Sequence, residues 1–242
     1  MRTRDDGIRD AATVIVARES PEGPAVFMVR RHAGATFLPD RYVFPGGAVD
    51  PEDRALVADR LRGSAGAVDP AYVITAARET FEEVGLLFAD RAVAPEALVA
   101  ARRALLAGEL GFAGVLARLG VRIDADRLRY FSRWITPKDE LAPRRFDARF
   151  FVARAPADQV AEADAGEVHD GAWYRPLEAL HAYERGEIEL IFPTIKHLER
   201  IAPYRSVEEL LAFAASKPVA AVMPTVDGDR VFTIPRELEN AW

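Results

Sequence analysis

The chain has 242 residues, half of them hydrophobic, which is ample for a core in one domain or in a domain carrying an elaboration. A formal net charge of −6 argues against nonspecific nucleic-acid binding, because no positive excess is present to displace counterions from a phosphate backbone. The absence of cysteine excludes disulfides, thiolate metal sites and cysteine nucleophiles together. Met1 to Asp10 is charged and lacks the apolar core of a signal peptide, and no apolar run reaches membrane-spanning length. The expectation is a cytoplasmic protein, neither secreted nor in contact with a membrane.

In chain order, Ala11 to Arg18 and Pro24 to Arg31 are β-branched and apolar runs on either side of Pro21-Glu22-Gly23-Pro24, which predicts a hairpin. Arg41, Tyr42 and Val43 are strand-like and lead into Phe44-Pro45-Gly46-Gly47. Consecutive glycines permit close backbone approach that a Cβ would forbid, although alone they mark no more than a turn. A short helix around Ala55 to Leu61 and a Gly63-Ser64-Ala65-Gly66 loop come next. Asp69 and Pro70 then supply an N-cap and a first helical residue, and Gly85 supplies a left-handed stop, so a helix is expected between them.

That helix carries Arg78, Glu79, Thr80, Phe81, Glu82, Glu83, Val84. At about 100° per residue, Glu79, Glu82 and Glu83 share one arc, and Ile74, Ala77, Phe81 and Val84 form an apolar stripe opposite. Like charges at this spacing repel by a few tenths of a kcal/mol per pair, so they require bulk water or a cation. Oxygen-only ligands favour a hard ion such as Mg²⁺ or Mn²⁺. A solvated helix face is the simpler account of the acids taken alone.

Downstream, Pro95 to Ala107 and Leu110 to Leu119 read as helices. Leu128 to Ile135, Phe146 to Ala153 and Ala172 to Tyr174 are strand candidates, and Pro176 to Glu184 is a helix. The tail adds helices near Thr194 to Ile201 and Val207 to Ser216 and a hairpin turning at Asp227-Gly228. This order predicts an α/β fold in which a mixed sheet lies between helices. One domain is expected, with its core at 11–190, helical insertions at 54–69 and 94–120, and a C-terminal extension at 191–242.

The succession Phe-Pro-Gly-Gly, an acidic segment, then Arg-Glu-x-x-Glu-Glu-x-Gly resembles the signature of the Nudix hydrolases, G-x5-E-x7-R-E-U-x-E-E-x-G-U with U aliphatic. Three departures stand out. Counting from Gly47 puts the first acid on Asp53, and counting from Gly46 puts it on Glu52. The usual seven residues before the arginine become 24 or 25, so the motif carries an insertion of 17 or 18 residues, which costs little in closure entropy if it lies at a surface turn. Thr80 also stands where an aliphatic residue is usual. The enlarged motif is similar to the branch that includes peroxisomal and mitochondrial coenzyme A diphosphatases. A separate coenzyme A signature, R-x3-G-x3-F-P-G-G, is incomplete here, with Thr36 and Asp40 in place of its arginine and glycine.

The resemblance implies an α/β/α sandwich and metal-dependent hydrolysis of a diphosphate in a small nucleoside diphosphate compound, such as coenzyme A or acyl-coenzyme A. ADP-ribose, NADH and dinucleoside polyphosphates are the alternative substrates, and a non-catalytic nucleotide sensor is the alternative of another class. Glu79, Glu82 and Glu83 would hold the ion, with the Gly46 carbonyl as a further ligand, and Arg78 would orient a neighbouring glutamate by a bidentate contact. Glu79 and Glu167 are the candidate general bases, and His169 is a weaker one. Arg31, Arg41 and Arg145 near strand ends are candidate phosphate contacts, and Tyr130 and Trp134 are either adenine-stacking or core residues. A homodimer is a further expectation from the resemblance. No serine lies in a Gly-x-Ser-x-Gly turn, which disfavours a serine hydrolase.

Overall fold

The computed structural model describes residues 7–34, 39–138, 144–164, 166, 168–228, 231–239 and 241–242. The predicted hairpin is formed by β1 (Ile8–Ser20) and β2 (Gly23–Arg31). Its turn is tighter than the glycine and prolines suggest, because Ser20 already pairs with Gly23 and only Pro21 and Glu22 bridge the strands. β3 (Tyr42–Val43) pairs with β2, and β4 (Gly46–Ala48) pairs with β1, so both glycines of the Phe-Pro-Gly-Gly segment lie in a strand.

Helix α1 (Pro51–Arg60) begins earlier than Ala55, which brings both candidate first acids onto its opening turn. β5 (Leu61–Arg62) follows, then α2 (Pro70–Val84), α3 (Pro95–Leu106) and α4 (Phe112–Leu119). β6 (Ile123–Asp124) pairs in parallel with β5, tying the inserted segment to the end of the helical elaboration. β7 (Arg129–Ile135), β8 (Arg145–Arg154) and β9 (Val168–Tyr174) are the three strand candidates, the last starting four residues before Ala172. Helices α5 (Pro176–Glu184), α6 (Phe192–Ile201) and α7 (Val207–Ser216) precede β10 (Ala221–Val222) and the small hairpin of β11 (Thr225–Val226) and β12 (Phe232–Thr233).

The main sheet runs β10-β7-β8-β1-β2-β3, with β4 also on β1 and β9 also on β2. It is mixed, because β1 pairs with β8 in parallel from Ile8↔Arg145 to Ala17↔Arg154 while its other partners are antiparallel. Side chains alternate along β1 and divide the core in two. Ala12, Val14 and Val16 face α2, α3 and α4 through Ile74, Phe81, Leu98 and Leu116. Ile15 and Ala17 face the opposite layer with Leu198, Ile201, Val207 and Leu210. The result is the α/β/α sandwich. Its second helical layer combines α5 with α6 and α7 of the 191–242 segment, so that segment is part of the sandwich. No helix among the described residues is long and apolar enough to cross a membrane.

Candidate functional site: an acidic helix under a glycine strand

Helix α2 keeps its predicted limits for local reasons. The Asp69 carboxylate accepts the Ala71 N–H at 2.9 Å, Pro70 takes the first turn, and Gly85, at φ +75°, donates its N–H to the Phe81 carbonyl at 3.0 Å. The acidic arc does not lie open to solvent. Residues 71–78, Thr80, Phe81, Glu83 and Val84 are all buried, because α1 and β4 pack over the side that carries the acids. Glu83 is 5% exposed, and Glu79 and Glu82 are partly covered. The solvated-face account of the acids fails at Glu83.

Burial also separates the two candidate first acids. Glu52 is exposed on α1, whereas Asp53 is 1% exposed. The Asp53 carboxylate accepts four hydrogen bonds: from the Asp50 N–H at 2.9 Å, Thr75 Oγ1 at 2.8 Å, and Arg78 Nε and Nη2 at 2.8 and 3.0 Å. Three of these bonds fall on Oδ2 and one, from Arg78 Nε, on Oδ1. The bidentate partner of Arg78 is therefore Asp53, where a neighbouring glutamate was expected. Arg78 reaches the glutamates through single contacts, with Nη1 2.9 Å from Glu79 Oε1 and 3.0 Å from Glu82 Oε2. Nη2 also donates to the Ala48 carbonyl at 3.0 Å. Burial works against the Arg78 charge, but the hydrogen bonds to Asp53 and the charges of Glu79, Asp53 and Glu82 outweigh it and hold the guanidinium above its ordinary range.

The glycines fit between these acids. The Gly46 N–H donates to Glu83 Oε2 at 2.9 Å, so the contact seen at Gly46 is made by its amide. A Cβ on Gly47 would stand 2.5 Å from Glu79 Cδ, and one on Gly46 would stand 2.6 Å from the Thr13 Cα. Only a residue without a side chain lets β4 lie flat against both β1 and the acidic helix.

Glu79, Glu82 and Glu83 thus reach one guanidinium and one amide with oxygen donors alone. That donor chemistry fits a hard divalent ion. Among the described residues no three acidic or histidine side chains already stand at ligand spacing, and Arg78 Nη1 bridges Glu79 and Glu82.

Of the remaining candidates, Glu167 lies outside the described residues. The segment leading to it is anchored at the end of α2, where the Asp164 and Glu162 N–H groups donate to the carbonyls of Glu83 (2.7 Å) and Val84 (3.0 Å). His169 is in β9, 3.0 Å from Asp170 and edge-on to His32 at 5.8 Å. Arg31 is half-buried opposite Val168. Arg41 binds Glu189 at 2.6 Å, and Arg145 donates to the Thr136 carbonyl at 3.1 Å, so both are engaged by the protein itself. Tyr130 packs on Phe151 at 5.7 Å, and Trp134, 3% exposed, packs on Trp242 at 4.9 Å, which assigns both to packing. Sequence reasoning passed over Thr75, although it stands three residues before Arg78 on the same arc and is a hydroxyl in an apolar run. It also passed over Arg102, for which no sequence signal exists.

Residues 56–201 match the family model of the NUDT19 Nudix domain. The crystal structure of a NUDIX hydrolase from Alicyclobacillus acidocaldarius superposes with a TM-score of 0.68 at 30% identity, covering 85% of this chain and 96% of that one. The chain belongs to the Nudix hydrolase family. Within it, similarity extends to the putative nudix hydrolase 7 of Caenorhabditis elegans, 29% identical over 80% of this chain and 60% of the relative. The acyl-coenzyme A diphosphatase NUDT19 of Gallus gallus is 27% identical over 86% of this chain and 72% of its own length. The chain thus spans less than two thirds of the worm relative. The matched span begins after Gly46, Gly47 and Asp53, which the fold returns to α2.

Proposed function

We propose that the chain is a divalent-metal-dependent hydrolase of the diphosphate linkage in coenzyme A or acyl-coenzyme A, releasing 3′,5′-ADP and the phosphopantetheine half. The observation that carries the hydrolase reading is the convergence of Glu79, Glu82 and Glu83 on Arg78 and the Gly46 amide, with Asp53 neutralising the guanidinium from behind. The substrate reading rests on the NUDT19 family match and on the similarity to the acyl-coenzyme A diphosphatase of Gallus gallus.

In this reading Glu79, Glu82 and Glu83 would hold Mg²⁺ or Mn²⁺, which would neutralise diphosphate charge and lower the pKa of a water. Gly46 fixes the Glu83 carboxylate through its N–H. Asp53 positions Arg78 through its bonds to Nε and Nη2. Arg78 keeps Glu79 and Glu82 from repelling each other before the ion arrives. Glu79 is the candidate to take the proton of the attacking water, with Glu167 as the other. One water is consumed for each P–O bond broken.

The test is chromatography of products after incubation with Mg²⁺ and coenzyme A, acyl-coenzyme A, NADH, ADP-ribose or diadenosine polyphosphates. Release of 3′,5′-ADP from coenzyme A or its acyl form supports the proposal. Cleavage of another compound alone moves the substrate, and nucleotide binding without cleavage of any replaces the hydrolase with a sensor. Glu83→Gln should fold yet lose turnover by orders of magnitude, and retained turnover would remove Glu83 from the ligand set.

A further inference from the structure

The last carbonyls of a helix find no partner within it. At the end of α2 those of Glu82, Glu83 and Val84 are nonetheless all satisfied. Arg102, from α3, donates Nε and Nη2 to the Glu82 carbonyl at 3.1 and 3.0 Å and Nη2 again to the Glu83 carbonyl at 2.9 Å. The Asp164 and Glu162 amides complete the set at Glu83 and Val84. Arg102 is held in place by its own helix, whose Leu98, Ala101 and Ala104 are buried. A Cβ on Gly85 would stand 3.0 Å from Arg102 Nη1, so the glycine that ends α2 also leaves room for the guanidinium.

Electrostatics both favour and oppose a charged guanidinium here. The C-terminal end of a helix carries partial negative charge. Burial holds the Arg102 pKa below its ordinary range, and the nearby charges of Asp164 and Glu162 offset that only in part. A fork-shaped cation that bonds two successive carbonyls restrains both the rotation and the rise of the turn, which a point charge does not.

We propose that Arg102 is a positioning residue for the acid cluster: it fixes the last turn of α2, and with it the backbone of Glu82 and Glu83, against the 162–164 segment that leads to Glu167. This rests on the reading of Glu82 and Glu83 as holders of a divalent ion. The helical elaboration thereby contributes to the site through backbone geometry.

The test is Mn²⁺ binding, followed by electron paramagnetic resonance, for the wild-type chain and for Arg102→Ala, Arg102→Lys and Arg103→Ala. Arg103 is the exposed neighbour and controls for the loss of one positive charge. Loss of an outer partner of a metal ligand weakens affinity about 10-fold or more. Arg102→Ala should show that loss, Arg102→Lys a smaller one, and Arg103→Ala none. In the metal-free protein, the Glu162 and Asp164 amides should exchange faster in Arg102→Ala. Wild-type affinity in Arg102→Ala, or equal weakening in Arg103→Ala, overturns the inference while leaving the metal reading intact. Failure of the wild-type chain to bind Mn²⁺ overturns the metal reading and this inference with it. If Arg102→Ala does not fold, Arg102→Lys decides by the same comparison with Arg103→Ala.

Discussion

Replacing Asp53 by asparagine keeps the size of the side chain and removes only its charge and part of its acceptor capacity. Four donors converge on this carboxylate, and both it and Arg78 are buried. Removing one partner of a buried pair leaves the other charge uncompensated and costs about 3–5 kcal/mol. Arg78 retains Glu79 and Glu82, so the lower end, about 3 kcal/mol, is expected. That is a large share of a total stability of about 5–15 kcal/mol. Glu52→Gln, at the adjacent exposed position, should change stability by less than about 0.5 kcal/mol. Urea unfolding at pH 7, followed by tryptophan fluorescence, measures both variants. Equal losses, or a larger loss for Glu52→Gln, would refute the assignment of Asp53 as the first acid of the motif.

Two other outcomes follow from the geometry. Gly47→Ala places a methyl group on the Glu79 carboxylate, which must move; Mn²⁺ affinity should fall about 10-fold, with a stability loss of only about 1 kcal/mol, since the displaced atoms end a flexible side chain. Affinity equal to wild type would show that Glu79 holds no ion. His197 is fully buried between Phe150 and Trp134, its Nδ1 2.6 Å from the Pro193 carbonyl and its Nε2 2.6 Å from Ser132 Oγ, and burial pushes its pKa from 6.5 down to about 3. The unfolded chain therefore takes up a proton below pH 6.5 that the folded chain refuses until about pH 3, and stability falls as pH drops through that window. Between pH 7 and pH 5 this residue should account for about 2 kcal/mol of the loss. His197→Phe should remove that share of the pH dependence, whatever it does to stability at pH 7. A variant with the wild-type slope would contradict the buried neutral imidazole.

The limits of α2 and its three carboxylates on one arc were legible because caps and helical spacing are local: Asp69, Pro70 and Gly85 act within a few residues of themselves. The β1–β2 hairpin and α7 were legible for the same reason, since each reads from a run of residues and its borders, and the mixed sheet between helices followed from the order of the elements. Glu52 and Asp53 could not be told apart in sequence, because they are chemically near-equal neighbours and only the packing of α1 on α2 buries one of them. Nor could sequence show that the acidic arc is roofed by β4, or that α6 and α7 join α5 in a layer of the sandwich. The fork of Arg102 on the carbonyls of Glu82 and Glu83 is tertiary as well, made across 20 and 19 residues by the docking of α3. What the chain encodes locally is which residues can hold an ion. Which of them are buried, paired and held still is decided by contacts between segments far apart in sequence, because desolvation and hydrogen-bond satisfaction depend on whatever the fold packs against them.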